Sequence, residues 1–293
     1  MATTCDPHPL GDAAYSSLLP WFGAKRVLAS RIVDLIGDHR CYWEPFCGSM
    51  AVLLNKPVVT QEMVNDLHGD LVNLARVVRD EELSQRLHWR LHRTLTAEGV
   101  FRESRDVVRA GLPPTVADPP SVDRAYHYFV ASWQGLNGLA GCRDTSNGYA
   151  RRFSSGGGAA STRFAGAVES LPWWHQRLRC VEIYSGCGIG ICERVEDREG
   201  TVIYADPPYF DVGKEYKHSF APADHERLAA ALGRFKQTRV LLSYYEHPDI
   251  ARLYPGWEKL EVATTKGLVS AAKRKEGRVD APEVLLVNRT GGA

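Results

Sequence analysis

The chain has 293 residues, 44% hydrophobic and 24% charged, with a formal net charge of +1, which excludes a disordered or fibrous protein and a uniformly basic nucleic-acid binder. No apolar run reaches the roughly 18 residues of a membrane span, and MATTCDPHPLGDAAYSS lacks the basic and apolar regions of a signal peptide, so a cytoplasmic location is expected. Seven cysteines without a C-x-x-C pair fit reduced thiols rather than disulfides or structural zinc.

In chain order, GAKRVLASRIVDLI (23–36) has helical apolar spacing, CYWEPF (41–46) is strand-like before a tight CGS, and AVLLN (51–55) starts a helix. VVTQEMVND (58–66) is a second strand ending in an acid, and LVNLARVVRD begins a long helix. The alternation resumes with strands CVEIY (180–184) and TVIYA (201–205), a helix from about Pro222 to Phe235, and strands RVLLS (239–243), LEVAT (260–264) and EVLLV (283–287). Strands alternating with helices predict a doubly wound, mainly parallel Rossmann-like sheet. Residues 81–165 break the rhythm with charged helical stretches, the Pro-rich GLPPTVADPPS and a Gly-rich polar run, and are expected to form a mainly helical insert with a binding hairpin. The core domain is then residues 1–80 and 166–293.

Charge is unevenly spread. Arg86, Arg90, Arg93, Arg102, Arg105 and Arg109 face three acids in their segment, and Lys266 to Arg278 holds five basic residues against Glu276. Either segment is a solvated face or a contact for a polyanion. His88 and His92 have metal-pair spacing in HWRLH, but the glutamate of H-E-x-x-H is missing, so no metal is expected.

Three motifs carry chemistry. EPFCGSM places a glycine turn between strand and helix, where Gly48 admits close approach of a ligand to the backbone. Asp66 stands 18 residues beyond Gly48, near the spacing at which an acid takes ribose hydroxyls, so the pair suggests a nucleoside cofactor. SGCGIGIC lacks the full G-x-G-x-x-G spacing and is expected to be a loop beside the cofactor, which disfavours NAD. VIYADPPYF ends a buried strand on Asp206, Pro207, Pro208 and Tyr209. A conjugated adenine amine is a poor nucleophile. Acceptors for both its hydrogens, the Asp206 carboxylate and the Pro207 carbonyl, aim its lone pair at an electrophile while Tyr209 offers a face for an extruded base. A turn in which Asp206 caps and Tyr209 packs is the bland alternative.

With these residues in view the chain resembles, over roughly 18–289, the Dam-like, D12-class (alpha-group) adenine-specific DNA methyltransferases. The resemblance implies a Rossmann-like S-adenosylmethionine-dependent methyltransferase sheet with a target-recognition insert, and site-specific methylation of the N6 amine of adenine in double-stranded DNA by base flipping. PWFGAKR resembles the cofactor motif, assigning Trp21 and Lys25 to the methionine part of S-adenosylmethionine. EPFCGSMAVLLNK resembles the cofactor loop (Glu44, Pro45, Phe46, Cys47, Gly48, Ser49), NDLHGDL the acidic motif with Asp66 on the ribose, and ADPPY the catalytic motif, where Asp206 also borders the cofactor. LNGLAGCRDTSNGYARRF resembles the DNA-reading hairpin, implying Asn137, Arg143, Arg151 and Arg152 as DNA contacts. The basic loop before the last strand adds Lys273, Arg274 and Lys275. No metal or membrane is implied, and a cognate restriction enzyme is left open as a partner. The chain departs from the family at Met50, where a second glycine is common, at His68, where asparagine is common, and at Tyr244 in LLSYYEHP, which lacks the usual Ser-Asn. Methylation of RNA amines and a catalytically silent DNA-binding module are the competing readings.

Overall fold

The computed structural model describes residues 16–21, 25–111, 119–136, 148–151, 159–210, 220–262 and 283–288. After a 3-10 turn at Lys25–Val27 come α1 (Ala29–Ile36), β1 (Cys41–Glu44), α2 (Ala51–Asn55), β2 (Gln61–Asp66) and α3 (Gly69–Arg79). Five helices follow: α4 (Glu81–His92), α5 (Glu98–Arg109), α6 (Val122–Gln134), α7 (Ala160–Glu169) and α8 (Leu171–Leu178). The chain then runs through β3 (Val181–Ser185), α9 (Gly188–Arg194), β4 (Thr201–Ala205), α10 (Pro222–Gly233), β5 (Arg239–Tyr245), α11 (Asp249–Leu253), β6 (Glu258–Val262) and β7 (Glu283–Val287).

The seven strands form one sheet in the order β3-β2-β1-β4-β5-β7-β6. The first five in that order are parallel neighbours, and β7 runs antiparallel to both β5 and β6. Both faces of the central strands are buried, the edge strands β3 and β6 being partly exposed, and the side chains sort by the two-residue period of a strand. Val202, Tyr204, Leu241, Leu285 and Val287 join one apolar cluster, with Ile32 and Ile36 of α1 and Leu71 and Leu74 of α3. Their neighbours Ile203, Ala205, Val240, Leu242, Val284 and Leu286 join the other, with Ile189 of α9 and Leu228 and Leu232 of α10. Each such buried side chain contributes about 1.5–3 kcal/mol, so a one-residue slip in β4 would exchange the two faces and lose most of that stabilisation.

Several boundaries differ from the sequence expectation. β1 ends at Glu44, because Pro45 has no N–H to continue the ladder. β2 begins at Gln61 rather than 58, where its partner begins at Cys41. The long helix expected from LVNLARVVRD stops at Arg79: Asp80 is extended (φ −78, ψ 132), and its side chain accepts the Leu83 N–H at 2.9 Å, which starts α4. The helix expected over 23–36 is a 3-10 turn and then α1 from Ala29, positions 23 and 24 lying outside the described residues. α10 ends at Gly233, and β6 spans Glu258–Val262, with 263 and 264 outside the described residues.

The helices of 81–165 pack on the same apolar cluster as one face of the sheet. Leu87, Leu91, Tyr128, Phe129, Trp133 and Phe164 are buried in it with Leu53, Leu74 and Trp174. A buried ion pair reinforces the junction. Arg124 of α6 grips Asp70 of α3 with two bonds (2.5 and 3.0 Å) and donates to the Val107 and Val108 carbonyls in the last turn of α5 (2.6 and 3.0 Å). A second buried group joins Lys56, Glu62 and Arg177, with Lys56 Nζ 2.5 Å from Glu62 and Arg177 also donating to the Leu53 carbonyl. Among the described residues no helix is long and apolar enough to cross a membrane.

Candidate active site

The strand order sets the place of the site. From β1 the chain steps outward through β2 and β3, then returns to build β4 on the other side of β1 and continues to β5. The carboxyl ends of β1 and β4 are therefore side by side where the winding reverses, the crevice in which open α/β sheets bind ligands. EPFCGS leaves that rim from β1, and DPPY leaves it from β4.

The loop after β1 is fixed by backbone bonds to its neighbours. The Cys47 N–H donates to the Asn65 carbonyl (2.9 Å), and the Gly48 N–H donates to Asp66 Oδ2 (2.9 Å). Asp66 Oδ1 accepts the His68 N–H at 2.8 Å, so the acid at the end of β2 braces both the glycine turn and the entry to α3. Asn65 Nδ2 donates to the carbonyls of Pro45 (2.9 Å) and Gly186 (3.0 Å), tying the loops after β1 and β3 together. Gly48 has φ +45, and a side chain there would meet the Trp21 indole at 3.1 Å. At Gly188, the start of α9, a Cβ would fall 2.5 Å from the Phe46 ring and 2.7 Å from the Pro45 carbonyl. SGCGIGIC, expected as a loop, is a loop only at Gly186 and Cys187: Ser185 ends β3, and α9 begins at Gly188, a glycine that brings the helix start against the β1 loop where a Cβ would not fit. Ser49 is buried, its carbonyl accepting the Leu18 N–H at 3.0 Å.

Behind this loop Glu44 is buried, and Tyr42 donates to its Oε2 at 2.9 Å. Burial pushes its carboxyl up to about 8, against the smaller opposing effect of the tyrosine, so it is largely protonated at neutral pH.

The end of β4 carries the densest charge in the crevice. Pro207 and Tyr209 are buried, while the Asp206 side chain keeps 20% of its surface exposed and is open to a ligand. Lys25 Nζ lies 2.9 Å from Asp206 Oδ2 and 3.2 Å from Glu283 Oε1, and 5.0 Å from the centre of the Tyr209 ring. Tyr209 donates its hydroxyl to Glu283 Oε1 at 2.8 Å, and the Tyr245 ring packs edge-on against it at 4.5 Å. Burial pushes the Asp206 carboxyl up to about 6, Lys25 pulling it down and Glu283 raising it. For Lys25, burial opposes the charge, but the two carboxylates outweigh it and hold its pKa above the ordinary lysine value. The segment beyond is braced by Phe210, stacked between His225 (3.8 Å) and His247 (4.4 Å).

The fold therefore gathers Trp21, Lys25, the 44–49 loop, Asp66, Asp206, Pro207, Pro208 and Tyr209 along one rim. Glu283, Asn65 and Tyr245 are there as well, although the sequence assigned none of them a role in the site. Glu283 arrives through β7: because that strand is antiparallel, its first residue, paired with Tyr245, lies at the rim where the parallel strands end. Arg151 is exposed beside the Gly135–Tyr149 bridge and pairs with Glu98 of α5. Asn137, Arg143, Arg152, Lys273, Arg274 and Lys275 lie outside the described residues. Among the described residues no group of three or more His, Cys, Asp or Glu could hold a metal ion.

A family model described as D12 class N6 adenine-specific DNA methyltransferase matches residues 21–268. No curated protein matches the chain.

Proposed function

The chain belongs to the D12 class N6 adenine-specific DNA methyltransferases, and from that membership we propose which of its residues carry the reaction and with which cofactor. The enzyme methylates the N6 amine of adenine in DNA. Such an enzyme must take the base out of the stack to reach the amine. In this reading Asp206 and the Pro207 carbonyl accept the two hydrogens of the amine, and Tyr209 lines the face of the extruded base.

The observation that carries the reading is the position of Asp206: a partly exposed carboxylate at the switch point, on the same rim as the glycine loop after β1. The rim fits S-adenosylmethionine. Gly48 lets the Trp21 indole pack directly on the backbone of the turn, which brings that ring to the rim. Each Asp66 oxygen accepts a backbone N–H, which fixes the carboxylate at the carboxyl end of β2 where it would take a ribose hydroxyl. When bound, the cofactor supplies a methyl group already activated by a sulfonium, so no strong base is demanded of the protein. Asp206 orients the amine and stabilises the positive charge that grows on its nitrogen, and it does so when ionised. Pro207 and Pro208 contribute no backbone N–H to compete for these acceptors.

We assign 1–80 and 166–293 to catalysis and 81–165 to target recognition. Arg151 is exposed and paired to a surface glutamate that a phosphate can displace. Asn137, Arg143, Arg152 and the Lys273, Arg274, Lys275 cluster complete the proposed DNA surface on sequence grounds.

Asp206→Ala tests the mechanism. Methyl transfer to duplex DNA is expected to be abolished, with the thermal melt and titration with S-adenosylmethionine little changed. Turnover by that variant would remove Asp206 from the chemistry.

A further inference from the structure

We infer that Glu283 is a positioning residue for methyl transfer: its carboxylate anchors the Tyr209 ring by the hydroxyl and the Lys25 ammonium beside Asp206, and so fixes the walls of the amine pocket. The inference rests on the proposed roles of Asp206 and Tyr209 and adds a residue that no motif supplies.

The geometry is a closed circuit. Asp206 Oδ2 holds Lys25 Nζ at 2.9 Å, Lys25 reaches Glu283 Oε1 at 3.2 Å, and the same oxygen takes the Tyr209 hydroxyl at 2.8 Å. Tyr209 follows Asp206 by three residues, which closes the loop through the backbone. Glu283 is 6% exposed, and a carboxylate so deeply placed persists when it is paired and hydrogen-bonded. It is also the most firmly held member. The ladder sets it opposite Tyr245 on one side and Val262 on the other, whereas Lys25 stands on a 3-10 turn and Tyr209 on an irregular segment. The sheet residue therefore positions the two groups that stand on irregular backbone. A phenol tethered at its hydroxyl is held against tilting away from the base, and Lys25 is shared between Asp206 and Glu283 rather than paired with Asp206 alone.

A glutamate that merely neutralised a buried lysine would not act through the Tyr209 hydroxyl and would not alter the chemical step. The two roles separate in kinetics. For Glu283→Gln, kcat in methyl transfer to duplex DNA is expected to fall about ten- to a hundredfold, the range set by one hydrogen bond to a charged group, while KM for DNA changes by less than about threefold. Tyr209→Phe, which removes the hydroxyl alone, is expected to lower kcat, and the double variant to be no slower than the slower single one. The acidic limb of the rate profile should also move. Asp206 is faced by Lys25, Glu283, Glu44, Tyr204, Tyr209, Tyr244 and Tyr245. Glu283 raises its pKa, so Glu283→Gln shifts the limb to lower pH, and Glu283→Asp restores the limb without restoring the rate. Wild-type kcat in Glu283→Gln or in Tyr209→Phe, or strictly multiplicative effects with an unmoved limb, would overturn the inference. If Glu283→Gln melts at a much lower temperature, Tyr209→Phe alone decides. Failure of the parent mechanism is seen separately, as turnover by Asp206→Ala.

Discussion

Met50 has φ 58 and ψ 29 at the N-cap of α2, left-handed values that a residue with a side chain enters at a cost of about 1–2 kcal/mol. The methionine side chain that accepts this strain is fully buried. Emptying such a site costs about 2–5 kcal/mol, so packing outweighs the strain and the Gly48 N–H still reaches Asp66. His68 likewise does the work of an asparagine, its Nδ1 accepting the Leu71 N–H at 3.4 Å as the cap of α3, with its ring stacked on Tyr128. Tyr244 is buried and bonded to His225 Nδ1 at 2.8 Å, bracing the Phe210 side of the segment that follows β4. Asp206 itself yields a pH prediction. Burial lifts its carboxyl from 3.8 to about 6, and the proposed mechanism uses the ionised form. The methyl-transfer rate is thus expected to be level above about pH 7 and to fall about tenfold per unit well below pH 6. A rate profile flat to pH 4.5 would contradict that role.

The glycine loops show what an element contributes beyond its residues. α9 can start where it does because Gly188 lets the Phe46 ring and the Pro45 carbonyl occupy the space of a Cβ. In Gly188→Ala one of the two loops must move. We expect a loss of about 1–3 kcal/mol of stability and a weaker titration with S-adenosylmethionine, because the displaced loop is the one that holds Gly48. Unchanged binding would mean that the β1 loop does not border the cofactor. The direction of β7 is the other decisive feature. Run parallel, that strand would carry Glu283 to the opposite edge of the sheet and leave Lys25 with Asp206 alone.

For the molecule as a whole, the apolar cluster on one face of the sheet continues into α4 and α6, so the proposed recognition segment shares its core with the catalytic sheet. Arg124→Ala should reveal that coupling. It strands Asp70 in a buried site and frees two carbonyls at the end of α5, a change expected to cost about 3–5 kcal/mol, read as a lower midpoint in a single cooperative urea transition. An independently melting segment would show that the two parts fold apart. The sequence by itself determined the strands, their alternation with helices, the glycine turn and the acids that end β2 and β4, because each depends on local periodicity or on proline and glycine, whose backbone limits are visible in the chain. It could not determine that Lys25 would span two carboxylates or that Glu283, 74 residues beyond Tyr209, would hold its hydroxyl. Those contacts follow from strand order and from the reversed course of β7, and a pairing across the sheet leaves no period in the sequence from which to read it.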